Sequence, residues 1–152
     1  MHVIKILFMI LICASIASCD LDDPESLAQK EIRDILYEIS LDFNLGDVVG
    51  IMDHVHQNYL HQGEITWQLN NEILDRMGRF QLLEIEVLYI EINGSYAVAH
   101  TIDHYSSSIE NVSYEEPEYS GYFSYFYREN GSWLIYGNQS WSPERKSRVA
   151  SQ

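Results

Sequence analysis

The chain has 152 residues, of which 12% are aromatic, and its 23 Asp and Glu against nine Lys and Arg give a net charge of −14 with histidines neutral. So acidic a protein repels phosphate backbones and anionic lipid headgroups, which argues against a nucleic-acid partner and against charge-driven membrane binding. The length suits a single domain with its own core.

The first residues have the pattern of a secretory signal. Lys5 is the only charge ahead of the apolar run from Ile6 to Ile12, which is too short to cross about 30 Å of hydrocarbon. The stretch Ile16-Ala17-Ser18-Cys19 resembles the bacterial lipobox, in which the final cysteine is acylated after cleavage. The resemblance implies a signal peptide at 1–18 and a lipid on Cys19; the alternative is ordinary cleavage that leaves an unmodified cysteine.

The two cysteines fit the lipid interpretation. Cys13 would leave with the signal, so Cys19 would be the only cysteine of the mature chain and no intramolecular disulfide could form. Residues 19–25 would be a short tether to a membrane outside the cytoplasm. By resemblance to the enterobacterial sorting signal, Asp20 favours the inner membrane if the cell is Gram-negative.

A eukaryotic secreted protein is the other interpretation, because four Asn-x-Ser sequons are present. Two of them, at Asn93 and Asn130, are followed by glycine between strand-like runs. Hairpin turns already account for those two, which favours the bacterial interpretation.

The first predicted helix begins at Ser26, which forms a capping-box signature with Gln29. Apolar residues then recur at three- and four-residue steps as far as Phe43, and Gly46 ends the helix.

Two further helices are predicted before the strands begin. Asp47 caps a short helix with one apolar stripe, and Thr66 caps a third helix with its apolar face at Leu69 and Ile73. A short extended piece around Tyr59 to His61 separates them.

After Phe80 the pattern changes to β-rich runs. Asn93-Gly94 and Asn130-Gly131 favour type I′ turns, so the first strand is expected to pair with the second and the third with the fourth. The acidic segment Ser106 to Glu118 is predicted as a solvated loop. The predicted strands are Leu82–Ile92, Tyr96–Tyr105, Tyr119–Arg128 and Trp133–Trp141.

Helices followed by a meander of long strands indicate an α+β domain in which three N-terminal helices pack on a curved antiparallel sheet. The stretches Ile39–Met52 and Arg128–Ile135 are similar to the helix–Gly-Asp–helix entry and the last hairpin of the nuclear transport factor 2-like (NTF2-like, SnoaL-like) superfamily. The resemblance covers residues 26–142, implies a cone-shaped pocket, and leaves a basic C-terminal tail at 143–152. The superfamily contains isomerases and dehydratases as well as binding modules, so a shared fold does not assign chemistry.

The second long strand carries the strongest candidate for chemistry. Thr101 and Asp103 share a face with the small residues Ala97 and Ala99. In resembling chains such small residues face the helices, which implies that Thr101 and Asp103 point into the cone. There Asp103 would be a general base beside a tyrosine hydrogen-bond donor; the alternative is an exposed Asp near a strand end.

His61, Trp67 and Tyr125 are further candidates for the cone. His61 follows the second helix, where the superfamily often places a polar pocket residue, so it is a candidate for proton transfer with Asp103 or for a buried, hydrogen-bonded histidine. Trp67 and Tyr125 are candidate lining residues for a flat apolar ligand. The many sheet tyrosines are equally consistent with ordinary β packing.

Metal and cofactor sites are not predicted. The pairs His54-x-His56 and His100-x3-His104 are badly spaced for one ion on a helix or strand. No Gly-rich phosphate loop and no nucleophile motif is present in the sequence.

Two functions are therefore expected. The favoured one is a non-catalytic module, tethered through lipid on Cys19, that binds a small apolar ligand or a protein, with a homodimer through the sheet as one option. The alternative is an isomerase- or dehydratase-like enzyme with Asp103 as base, assisted by His61 or Tyr125.

Overall fold

The computed structural model describes residues 23–141. The predicted signal, Cys19 and the basic tail at 143–152 lie outside these residues. Within 23–141 no helix is long and apolar enough to cross a membrane. The helices are α1 (Pro24–Leu45), α2 (Val48–Asp53) and α3 (Thr66–Arg79), and the strands are β1 (Leu60–His61), β2 (Glu64–Ile65), β3 (Leu82–Asn93), β4 (Tyr96–Ser106), β5 (Asn111–Glu116), β6 (Tyr125–Glu129) and β7 (Ser132–Ile135).

Helix α1 begins two residues before the predicted cap. Pro24 is at its first turn and Asp23 is the N-cap, without a side-chain hydrogen bond, so the capping role predicted for Ser26 is wrong. Proline suits this position because its fixed φ is already helical and its missing N–H would have no partner there. Gly46 ends the helix at φ 74°, as predicted.

The other two helices lie close to where they were predicted. The Asp47 side chain accepts a hydrogen bond from Gly50 N at 3.0 Å, which confirms it as the cap of α2. Thr66 is the first residue of α3 rather than its cap. The cap is Ile65, whose N–H donates to the Gln68 side chain at 2.9 Å.

One five-stranded antiparallel sheet packs against the helices, which confirms the α+β prediction. Strand β4 is central: it pairs with β3 along one side, and on the other with β5 near its end and β6 near its start. Both predicted hairpins, β3–β4 and β6–β7, are present. Strands β1 and β2 form a separate small hairpin.

The predicted loop from Ser106 to Glu118 instead contains strand β5. Val112, Tyr114 and Glu116 are on its inward side and Glu115 is exposed. The prediction failed because the acidic composition concealed this alternation, in which one glutamate points inward.

The last two predicted strands are shorter than expected. Residues 119–124 lie outside any strand and include a turn at 122–124, with Gly121 at φ 72°, and β6 begins only at Tyr125. After β7 ends at Ile135, Gly137 and Gln139 also have positive φ values. Such left-handed residues interrupt strand geometry, so hydrophobic composition alone overestimated both strands.

Helix α1 lies along the free edge of β3 and bonds to its backbone. Gln29 and Arg33 donate to the carbonyl oxygens of Ile90 and Val87, each at 3.3 Å. Asn44 contacts Leu83 twice, donating to its carbonyl oxygen at 3.2 Å and accepting from its N–H at 2.7 Å. The apolar stripe of α1 covers the concave face of the sheet, with Ile32, Leu36, Ile39 and Phe43 buried.

Candidate functional site

The inward face of β4 carries the residues singled out by the sequence. Thr101, Asp103 and Tyr105 are all buried, on the strand face that they share with Ala97 and Ala99, and Asp103 is only 3% exposed. The Thr101 hydroxyl donates to Asp103 Oδ1 at 2.7 Å. Asp103 is therefore an interior residue and not an exposed strand-end carboxylate.

Burial raises the pKa of Asp103 from 3.8 to about 7. The Thr101 hydrogen bond and the Arg76 and His104 charges oppose this shift, whereas the Glu116 carboxylate adds to it. A pKa near neutral pH suits a group for general acid–base chemistry.

Arg76 of α3 connects the helix to the inner face of β4. It donates to the Tyr105 hydroxyl at 2.9 Å and to Glu72 Oε1 at 2.8 Å. Its guanidinium also lies 5.1 Å from the ring centroid of Tyr122. Burial raises the pKa of Tyr105 above its ordinary value, so the phenol keeps its proton and remains a hydrogen-bond donor.

Glu116, at the end of β5, stabilises the turn that follows it. It is 3% exposed and accepts from Ser120 N at 2.7 Å, Ser120 Oγ at 2.5 Å and Gly121 N at 2.6 Å. Three donors compensate the cost of burying this carboxylate. Sequence reasoning did not single it out, because it lay in a segment predicted as a loop.

His61 is held by two backbone groups. Its Nε2 lies 2.6 Å from Ser120 O, and its Nδ1 accepts from Asn138 N at 3.2 Å. These partners place the ring proton on Nε2. Because both nitrogens are engaged, the histidine joins two chain segments, which fits the buried, hydrogen-bonded alternative better than proton transfer. We call His61, Arg76, Thr101, Asp103, Glu116 and Ser120 the interior polar cluster.

The structure does not bring the four predicted lining residues together. Thr101 contacts Asp103, whereas Tyr125 packs its ring against His61 with centroids 5.5 Å apart. Trp67 is 61% exposed on the first turn of α3. It lies two residues from buried Leu69, about 200° around the helix, and so points away from the core.

The sheet tyrosines mostly pack against other side chains. Tyr114 stacks on Tyr119 with centroids 3.8 Å apart, and Tyr127 packs against Tyr96 and Tyr136 at 5.0 Å each. These contacts fit β packing better than an aromatic cavity.

A cavity of about 680 Å³, which sequence reasoning missed, lies between the C-terminal half of α1 and one end of strands β3, β4 and β5. We call it the groove. Its walls include buried Leu83 and Tyr105, and its rim includes exposed Tyr37, Leu41 and Leu82. Tyr37 and Leu41 are four residues apart and lie off the buried stripe of α1. Two large apolar residues at this spacing, outside the core face, are the sequence pattern that could have indicated the groove.

Tyr105 separates the groove from the interior polar cluster. Its ring packs edge-on against Phe43 at 5.6 Å while its hydroxyl bonds to Arg76. Asp103 is two residues away on the same face of β4, about 7 Å along the strand. Within residues 23–141, no group of three or more His, Cys, Asp or Glu side chains is placed to hold a metal ion.

Several solved structures share this architecture. Bd1075 from Bdellovibrio bacteriovorus (8% identity, TM-score 0.55) is matched over 71% of this chain but only 39% of its own length. Rv3472 from Mycobacterium tuberculosis, of unknown function, has 12% identity and a TM-score of 0.57, covering 80% of this chain and 75% of that one. An NTF2-like protein of unknown function from Pseudomonas putida KT2440 has 15% identity and a TM-score of 0.55, covering 74% and 84%.

The fold is NTF2-like. At these identities the likeness establishes the NTF2-like fold and leaves the activity to be argued from the site. No protein-family model and no curated protein sequence matches the chain.

Proposed function

We propose that this protein is a binding module, tethered outside the bacterial cytoplasm by a lipid on Cys19, that takes a small and largely apolar ligand in the groove. The observation that carries the proposal is the groove itself, a cavity of about 680 Å³ whose lining mixes apolar and polar side chains and whose rim includes exposed apolar residues. This volume is within the range of about 300 to 1,000 Å³ found for small-molecule sites.

The exposed rim supplies the driving force for binding. Tyr37, Leu41 and Leu82 leave much of their apolar surface in water. Covering that surface would contribute about 25 cal/mol for each Å² removed from water. Among the polar lining residues, Ser40, Asn44 and His104 already have protein partners, so a ligand need not satisfy them.

The test is titration with Nile red, a neutral apolar dye, of the full chain carrying Cys19→Ser so that no lipid competes. Leu41→Gln should weaken binding about fivefold, because a polar amide replaces apolar rim surface. Leu27→Gln is the matched control: Leu27 is 45% exposed on the same helix, compared with 43% for Leu41, but does not line the groove. Equal loss in both variants would contradict the proposal.

Lipid attachment has a separate test. Its support is the lipobox-like stretch Ile16-Ala17-Ser18-Cys19, together with the start of α1 at Pro24, which leaves four residues between lipid and domain. Those residues reach at most about 15 Å. Labelled palmitate should enter the native chain and not Cys19→Ser; equal labelling would exclude the lipid.

A second candidate is an enzyme with Asp103 as general base and Tyr105 as hydrogen-bond donor. It is favoured by the buried carboxyl, whose pKa is about 7, on the same strand face as a phenol bonded to Arg76. Carbon-detected NMR titration of the carboxyl should give a midpoint near 7 that shifts when Thr101→Val removes the donor. A midpoint near 4 would exclude this candidate.

A further inference from the structure

The groove carries a charge as well as an apolar surface. Among the residues that line it, Glu84 is the carboxylate and His104 the imidazole, and none is Lys or Arg. The two are direct partners across the β3–β4 pair. His104 lies 3.5 Å from Glu86 and 2.7 Å from Ser113 Oγ. In the described part of the chain, Glu84 has no ion-pair partner within 4 Å.

The rest of the domain gives this carboxylate little compensation. Residues 23–141 contain 20 Asp and Glu but only five Lys and Arg. Four of the five already contact carboxylates: Lys30 with Asp34, Arg76 with Glu72, Arg79 with Glu110, and Arg128 with Glu31. No Lys or Arg side chain therefore balances Glu84 inside the groove, where its cross-strand neighbour is the imidazole of His104.

We infer that the ligand of the groove is a cationic amphiphile, an apolar body that carries an amine. This inference rests on the proposed function of the groove. The apolar body would cover the rim at Tyr37, Leu41 and Leu82, and the ammonium group would lie near Glu84. A ligand with a carboxylate head, such as a fatty acid, would be repelled by the Glu84 carboxylate.

Coulomb's law sets the size of the preference. At a protein surface, an opposite charge about 5 Å away strengthens binding by about fourfold in a water-like medium and a like charge weakens it by a similar factor, with larger effects where water is partly excluded. An ammonium and a carboxylate on the same chain should therefore differ in affinity by at least tenfold at low salt. The difference should shrink at high salt, because counterions screen exposed charges.

The experiment compares three probes of equal length, octylamine, octanol and octanoate, as competitors of Nile red on the full chain with Cys19→Ser. We expect octylamine to bind tightest and octanoate weakest, about tenfold apart in 10 mM salt and closer in 0.5 M salt. Equal affinities for octylamine and octanoate would overturn the charge inference and leave the groove intact. If octanol also failed to compete, the proposed function would fall.

A matched pair of variants separates the groove from the net charge of the whole molecule. Glu84→Gln removes a lining carboxylate, and Glu118→Gln removes an exposed carboxylate elsewhere in the fold. Glu84→Gln should lower the ratio of octylamine to octanol affinity about threefold, and Glu118→Gln by less than 1.5-fold. Equal effects would overturn the assignment, because the preference would then come from the overall charge.

Discussion

The interior polar cluster and the groove lie on either side of Tyr105. The cluster buries polar groups, whereas the groove exposes apolar ones. In the cluster, Glu116 and His61 are buried and hydrogen-bonded to backbone groups. In the groove, apolar side chains such as Leu41 remain exposed. A buried polar group needs partners, so the cluster contributes to the fold, whereas the exposed apolar rim is the surface that the proposed ligand would cover.

The largest effect that sharpens this comparison is expected at Glu116. Glu116→Ala should lower the free energy of unfolding by about 3 to 5 kcal/mol, because Ser120 N and Gly121 N lose their buried acceptor. Urea denaturation measures the change. Glu115→Ala, on the exposed side of the same strand, is the control and should change stability by less than about 0.5 kcal/mol.

The contribution of Asp103 to the free energy of unfolding should depend on pH. Its pKa is about 7 in the folded protein against 3.8 ordinarily, so the folded state binds this proton more tightly than the unfolded chain. Stability from this group is then present below about pH 4 and is lost as pH rises to about 7. Asp103→Asn removes this group, so its effect on the free energy of unfolding should be more favourable at pH 8 than at pH 4. The difference between the two effects should be about 2 to 4 kcal/mol. Urea denaturation across this range measures it; parallel curves for the two proteins would show that the pKa is ordinary.

Asn44 lines the groove but, like the residues of the cluster, bonds to backbone groups, here those of Leu83. Asn44→Ala should destabilise the protein by about 1 to 2 kcal/mol, because two hydrogen bonds are lost at a partly solvated site. Asn44→Asp keeps the acceptor and loses the donor, so it should have an intermediate effect. If Asn44→Asp were as stable as the native chain in thermal unfolding, the bond to the Leu83 carbonyl would be unimportant.

The smallest effect on stability is expected at the groove rim. Leu41→Gln should change the free energy of unfolding by less than about 0.5 kcal/mol, because Leu41 is 43% exposed and off the buried stripe. The matched Leu36→Gln, at a buried position of the same helix, should cost several kcal/mol. A large loss in Leu41→Gln would mean that the rim is part of the core, which would end the contrast between the two regions.

Local sequence patterns were sufficient to predict much of the fold. Alternation along β4 put Asp103 on one face with Ala97 and Ala99, and the structure buries that face. Asn93-Gly94 and Asn130-Gly131 marked both hairpins. The N-terminus of α1 and strand β5 were mispredicted, since Pro24 took the first helical turn and Glu116 faced inward.

The site depended more on contacts between distant segments. His61 meets Ser120 and Asn138, and Arg76 meets Tyr105, across 29 to 77 residues of sequence. No local period encodes such contacts. The groove is likewise formed by α1 and three strands, so only the exposed pair Tyr37 and Leu41 hinted at it.

The bonds from α1 to the edge of β3 also affect how the protein behaves among its own copies. An uncovered edge strand offers free N–H and C=O groups to which a strand of another molecule can add. Here Gln29, Arg33 and Asn44 occupy such groups at Ile90, Val87 and Leu83. Helix α1 thus protects this edge from strand addition, which is the first step of sheet-to-sheet aggregation.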